Sequence, residues 1–169
     1  MAQVGVAVYE DLQCSDCAAF RKVLDEVILP RYGSRIVVEH HDFPLPKHGW
    51  ARSAAIAARH FQEVNDELGN AFRREMLANI SGISVATFVN HMVRFAKSHG
   101  VDPEDAIGAL LDVRLRGSVE QDYRIGQALG VVRTPTVFVD GAPFIETFTV
   151  EEISAGIDRA LAFRRSLLT

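Results

Sequence analysis

Cysteine is nearly absent from this sequence: two residues in 169, Cys14 and Cys17. A disulfide-built scaffold needs more of them, spread along the chain, so the fold has to rest on an ordinary apolar core. The chain is long enough to bury one. Long apolar runs are missing too, and none approaches the ~20 residues of a membrane-spanning helix. The N-terminus lacks the basic region and cleavage site of an export signal. The expectation is a cytoplasmic chain as it stands, or a periplasmic or extracellular one if a signal has been trimmed. There is no cluster of Lys and Arg, and 18 basic residues face 22 acidic ones, for a net charge of -4. That balance argues against a nucleic-acid partner. Internal repeats and low-complexity linkers are lacking. What is present, 48% hydrophobic and 24% charged residues, is the composition of a soluble globular domain rather than of a disordered or collagen-like chain.

The order of elements can be read from periodicity. Residues 4 to 9, Val-Gly-Val-Ala-Val-Tyr, form a short β-branched run that suits a buried strand. From Cys17 the pattern turns helical, with Phe20, Val23, Leu24, Val27 and Ile28 on one face until Pro30 and Gly33 end or kink it. Ile36 to Phe43 reads as a second strand, and β-α-β predicts two parallel neighbours. A helix carrying Ala51, Ala54, Ala55, Ala58, Phe61 and Leu68 follows, then a segment over Ala71 to Asn79. Val85, Phe88, Val89, Met92, Val93 and Ala96 make an amphipathic helix closed by Gly100. Asp102-Pro103-Glu104-Asp105 starts another, and Ser118 with Gln121 reads as a capping box for a helix ending at Gly130. Val137-Phe138-Val139, the Asp140-Gly141 turn, a returning strand over Phe144 to Phe148, and a helix capped by Thr149 and Glu152 complete the chain. The helical block interrupts a unit whose two β-containing halves make one sheet.

The two cysteines carry the chemistry. Cys14-Ser15-Asp16-Cys17 lies at the mouth of the first helix, where unpaired N–H groups and the helix dipole favour a thiolate. A pair three apart closes too small a loop to stabilise the fold much. Redox exchange, half of a metal site completed by His40, His41 or His48, and a pair of small buried apolar residues are the alternatives. C-x-x-C beside a β-α-β pattern favours the first. Far downstream, Thr134-Pro135 immediately precedes a strand, where proline is tolerated only at a first residue or an edge.

Three segments carry a resemblance: Tyr9 to Cys17 (YEDLQCSDC), Phe43 to His48 (FPLPKH) and Gly130 to Gly141 (GVVRTPTVFVDG). Together they resemble the DsbA-like thioredoxin family of thiol–disulfide oxidoreductases, over essentially the whole chain. The resemblance implies an α/β thioredoxin fold, β-α-β … β-β-α, with an inserted all-helical subdomain. Residues 1–45 and 119–169 would form the discontinuous thioredoxin-like domain and 46–118 the insertion. It implies that Cys14 is the exposed nucleophile that forms a mixed disulfide and that Cys17 is the more buried resolving cysteine. It makes Pro135 the cis-proline against the disulfide and Thr134 the residue whose backbone pairs with substrate. Cysteine-containing protein or peptide substrates and a redox recycling partner are implied, and no cofactor beyond the Cys14–Cys17 disulfide.

Ser15 and Asp16 depart from the proline and aromatic or histidine that strong oxidants of the family carry between the cysteines. A carboxylate beside Cys14 disfavours its thiolate, so a weaker oxidant is expected. Glu39, His41, Asp11 and His48 are the candidates for proton relay. Two other functions fit such a fold: a non-catalytic peptide-binding or chaperone module, and a glutathione-linked isomerase or transferase of the kappa-class type. The intact cysteine pair argues against the second.

Overall fold

The structure, a computed structural model, describes residues 3–167. Strand β1 (Val4–Glu10) leads into helix α1 (Ser15–Val23), which continues through a π-helical turn (Leu24–Ile28) into α2 (Leu29–Tyr32). Strand β2 (Ile36–Asp42) follows. Five helices come next: α3 (Ala51–Val64), α4 (Asp66–Ala78), α5 (Phe88–Ser98), α6 (Pro103–Ala109) and α7 (Val113–Ala128). Strands β3 (Thr136–Val139) and β4 (Ala142–Ile145) and helix α8 (Val150–Ser166) close the chain. The sheet order is β2-β1-β3-β4, with β1 and β2 parallel and the other two pairs antiparallel. This is a thioredoxin-like α/β sheet with helices placed between β2 and β3.

Alternation along the strands decides what lies on each face. Val4, Val6 and Val8 point to one side and pack with Leu24 and Ile28 after α1 and with Ile153 and Ile157 of α8. Each such buried side chain contributes roughly 1.5–3 kcal/mol. Tyr9 points to the other side, where Phe43, Val131 and Tyr123 of α7 surround it. Helix α7 comes close here because residue 126 is glycine: a Cβ there would sit 2.7 Å from Phe43 and 3.0 Å from Tyr9. Phe61, Phe72, Met76, Met92 and Phe95 build a separate core among α3, α4 and α5, and Trp50 stacks on Phe88 within it. Leu12, Cys14 and Cys17 belong to that same helical cluster. The cysteine loop is therefore held between the sheet and the inserted helices.

Several boundaries differ from the sequence expectation. Pro30 does not break the first helix, because the π-helical turn just before it carries the chain on to Gly33, which has φ +52°. Leu68 belongs to α4 rather than α3: Asn65 leaves helical geometry and its side chain accepts from the Leu68 amide, capping the new helix. Val85 lies outside α5 and is exposed. Ser118 and Gln121 are not a cap. Asp112 caps α7 from six residues earlier by accepting from the Arg114 and Leu115 amides, and the Ser118 hydroxyl donates to the Arg114 carbonyl inside the helix. The returning strand begins at Ala142 rather than Phe144, because the Asp140-Gly141 turn (φ +45° and +88°) sets Ala142 directly opposite Val139. Asp102 caps α6, and Thr149 with Glu152 forms the capping box of α8, as the sequence indicates.

Candidate active site

Cys14 is the N-cap of α1, with an extended backbone (φ -90°, ψ 122°) and no side-chain cap bond. Its amide donates to the Asp11 carbonyl at 3.1 Å, and its own carbonyl receives the Ala18 amide at 3.1 Å. The Asp11 amide donates to the Cys17 sulfur at 3.4 Å. Both thiols are free. Cys14 is 8% exposed and Cys17 1%, so the sulfur nearer solvent is the first, although little of it is open. The Thr134–Pro135 peptide bond is cis. The Thr134 carbonyl lies 3.4 Å from the Cys14 sulfur, whose thiol donates to it.

The two thiols are electrostatically unequal. The hydrogen bond from Cys17 pulls the Cys14 thiol down to about 6, against burial. Thr134, whose buried hydroxyl has no other partner among the described residues, and the Cys17 and Asp16 backbone amides add to that effect. Burial pushes Cys17 well above the ordinary thiol range, and the hydrogen bond and charge of Cys14 and the charge of Glu10 push it further. This environment favours ionisation of Cys14 over that of Cys17.

The Asp16 side chain is exposed at the helix start, where water screens the carboxylate, while its backbone N–H faces the sulfur. The backbone of residue 16 thus favours the Cys14 thiolate. Ser15 is also exposed.

Glu39 and His41 are not brought to the cysteines. They share the strand face of Tyr9: His41 stacks on Tyr9 and lies 3.4 Å from Asp122, and Glu39 is exposed 3.6 Å from His41. The register of β2 against β1 pairs His40 with Val8 and Asp42 with Glu10. These residues, on the opposite face, run beneath α1.

Glu10 is the charged residue that sequence reasoning missed. It is 2% exposed, with His40 Nδ1 at 3.1 Å and Arg73 of α4 at 3.4 Å. Burial would raise its carboxyl, but His40, Arg73 and Arg21 bring it down to about 2. Arg73 also donates to Asp42 at 2.7 and 3.3 Å. Arg59 of α3 bridges Asp42 and Asp122. Glu10 is a negative charge in a buried ionic chain, close enough for its charge to raise Cys17. A readable signal exists: position 10 continues the buried face of Val4, Val6 and Val8.

Asp11 and His48 do reach the site. The buried Asp11 carboxylate accepts from the Gln13 amide at 2.7 Å, the Leu45 amide at 2.7 Å and His48 Nδ1 at 2.8 Å. His48, Lys47, Arg133, Thr134 and Cys14 line one cavity of ≈ 740 Å³. His40, His41 and His48 are turned to three different carboxylates.

Residues 1–159 match the thioredoxin family. The chain belongs to that family. Its fold is close to those of DsbA proteins. Wolbachia pipientis alpha-DsbA1 superposes with a TM-score of 0.86 at 16% identity, over 99% of this chain and 90% of that one. BdbD from Bacillus subtilis does so with a TM-score of 0.83 at 19% identity, over 94% and 88%. MdbA, a thiol-disulfide oxidoreductase from Corynebacterium diphtheriae, gives 0.73 at 22% identity, over 91% and 83%. A curated relative, the Na(+)/H(+) antiporter NhaA 3 of Salinispora tropica, is 28% identical over 167 residues. The match takes in 97% of this chain and 24% of the antiporter, so the chain spans about a quarter of that relative's length. Among the described residues, no helix is long and apolar enough to cross a membrane.

Proposed function

We propose that the protein is a thiol–disulfide oxidoreductase acting on cysteine-containing proteins or peptides through Cys14 and Cys17. The observation that carries this is the inequality of the two thiols at the head of α1. The low-lying Cys14 thiol supplies the attacking thiolate, and the buried Cys17 thiol waits to resolve. In the reducing direction, Cys14 Sγ attacks a substrate disulfide, forming a mixed disulfide and expelling one substrate thiolate. Cys17 then loses its proton and attacks Cys14, releasing the second substrate thiol and leaving the Cys14–Cys17 disulfide. Oxidation of a substrate dithiol is the reverse. Thr134, which lines the same cavity, would pair through its backbone with an extended peptide.

Stabilising the thiolate stabilises the reduced form and makes the couple more oxidising. A nucleophile at about 6 sits between thioredoxin and DsbA, so the potential should fall between about −270 and about −120 mV. The reading is tested with Cys17→Ser and a disulfide-bearing peptide. A covalent adduct at Cys14, cleaved by dithiothreitol, supports it, and no adduct over the pH range 6 to 8 refutes it.

A further inference from the structure

Exchange leaves one problem that the cysteines do not solve. The substrate sulfur that departs from, or attacks, Cys14 has to gain or lose a proton in the cavity. Cys17 is 1% exposed and bonded to the Asp11 amide, so it does not serve a sulfur on the open side of Cys14. Of the side chains lining the cavity, Arg133 is permanently charged and paired with Glu146 at 2.8 Å. Lys47, Asp16, Ser15 and Thr134 are the other polar groups, with Gln13, whose side-chain carbonyl oxygen is taken by the Trp50 amide at 2.9 Å. An imidazole is the side chain that exchanges a proton most readily near neutral pH, and His48 is the one present.

His48 is held in a defined state. Two of the three donors to Asp11 are backbone N–H groups, so Asp11 is an acceptor and Nδ1 of His48 carries the hydrogen. The loop itself is pinned on both sides of the histidine: the His48 amide donates to the Leu45 carbonyl at 3.0 Å, and Trp50 is tied to Gln13. Nε2 is left without a hydrogen-bond partner among the described residues, on a ring that lines the cavity with Cys14.

We infer that His48 is a catalytic general acid–base for the substrate sulfur, and that Asp11 is the positioning residue that presents it. This rests on the exchange reading above. In the reducing direction, the Cys14–substrate S–S bond forms as the substrate S–S bond breaks. The departing sulfur takes the bonding electron pair and a proton from Nε2–H. In the oxidising direction, neutral Nε2 takes the proton of the substrate thiol. Its sulfur then attacks Cys14 in the Cys14–Cys17 disulfide, the S–S bond breaks, and Cys17 departs with the electron pair as a thiolate, the substrate proton remaining on Nε2.

The test compares two disulfides on the reduced full chain: glutathione disulfide, whose alkyl thiolate needs a proton, and dithiobis(nitrobenzoate), whose aromatic thiolate does not. The readout is the ratio of the two rate constants within each variant, taken on protein whose folding is checked by circular dichroism. In His48→Gln the alkyl-to-aromatic ratio should fall roughly ten-fold or more. Asp11→Asn should lower it in the same direction, and the double variant should lose no more than His48→Gln alone. An unchanged ratio in His48→Gln overturns the role. Wild-type protein inert toward both disulfides overturns the exchange reading itself, and this role with it.

Discussion

The backbone of Asp11 holds both cysteines: its amide donates to the Cys17 sulfur at 3.4 Å and its carbonyl accepts from the Cys14 amide at 3.1 Å. Its side chain at the same time ties the loop to Leu45 and His48. One residue thus fixes the position of the thiol pair against the loop that forms the opposite wall of the cavity. The geometry of the site is set by this short turn, and its electrostatics by the charges around and beneath it.

The two residues between the cysteines are exposed, and the carboxylate of Asp16 is directed to water. Asp16→Asn should therefore move the Cys14 ionisation by less than about half a pH unit. The check is the pH dependence of iodoacetamide alkylation in the two proteins. A drop of a full unit on removing the carboxylate would restore the view that it opposes the thiolate.

The charge of Glu10 is one reason that Cys17 stays protonated. In a Cys14→Ser background, Glu10→Gln should lower the Cys17 ionisation, seen as thiolate absorbance at lower pH. No change would mean that burial alone keeps the Cys17 proton.

Arg73 is 2% exposed and bridges Asp42 and Glu10. Arg73→Met leaves two buried carboxylates without that partner and should cost about 3–5 kcal/mol, measured by urea unfolding of the reduced protein. The same network makes stability depend on acid. The folded-state pKa of Glu10, about 2, lies below its ordinary 4.5. Its contribution is therefore full above about 4.5 and is lost as the pH falls toward 2, by roughly 3 kcal/mol. Wild type should lose stability in that window more steeply than Glu10→Gln.

Gly126 tests the approach of α7 to the sheet. Alanine is the better helix former by about 1 kcal/mol, but its methyl would meet the rings of Phe43 at 2.7 Å and Tyr9 at 3.0 Å. Both rings are buried, so Gly126→Ala should destabilise by about 1–3 kcal/mol. A rise in the midpoint of thermal unfolding would show that the rings yield.

The cysteine pair and the strands around it were legible because their signals are local: a β-branched run, a helix start at Cys14, a two-residue turn at Asp140-Gly141. The errors came where two local signals competed. Ser118 with Gln121 has the form of a capping box, but Asp112 starts the helix earlier, and a serine already inside a helix turns its hydroxyl to the preceding carbonyl instead. The parity of β2 was not legible at all. Glu39 with His41 and His40 with Asp42 are interchangeable in sequence, and only the pairing of Asp42 opposite Glu10 decides which set runs under α1. Arg73, which makes an acid at position 10 tolerable in the interior, comes from a helix whose place beneath the site depends on the packing of the whole inserted block.

The central claim is the inequality of the thiols, and it is tested most directly by following thiolate absorbance at 240 nm in the fully reduced protein as the pH is raised from 3 to 9. A single ionisation near pH 6 that disappears in Cys14→Ser and persists in Cys17→Ser, whose hydroxyl can still donate to the Cys14 sulfur, is the predicted result. Absence of any thiolate below about pH 8, or an early ionisation that follows Cys17 instead, would contradict it.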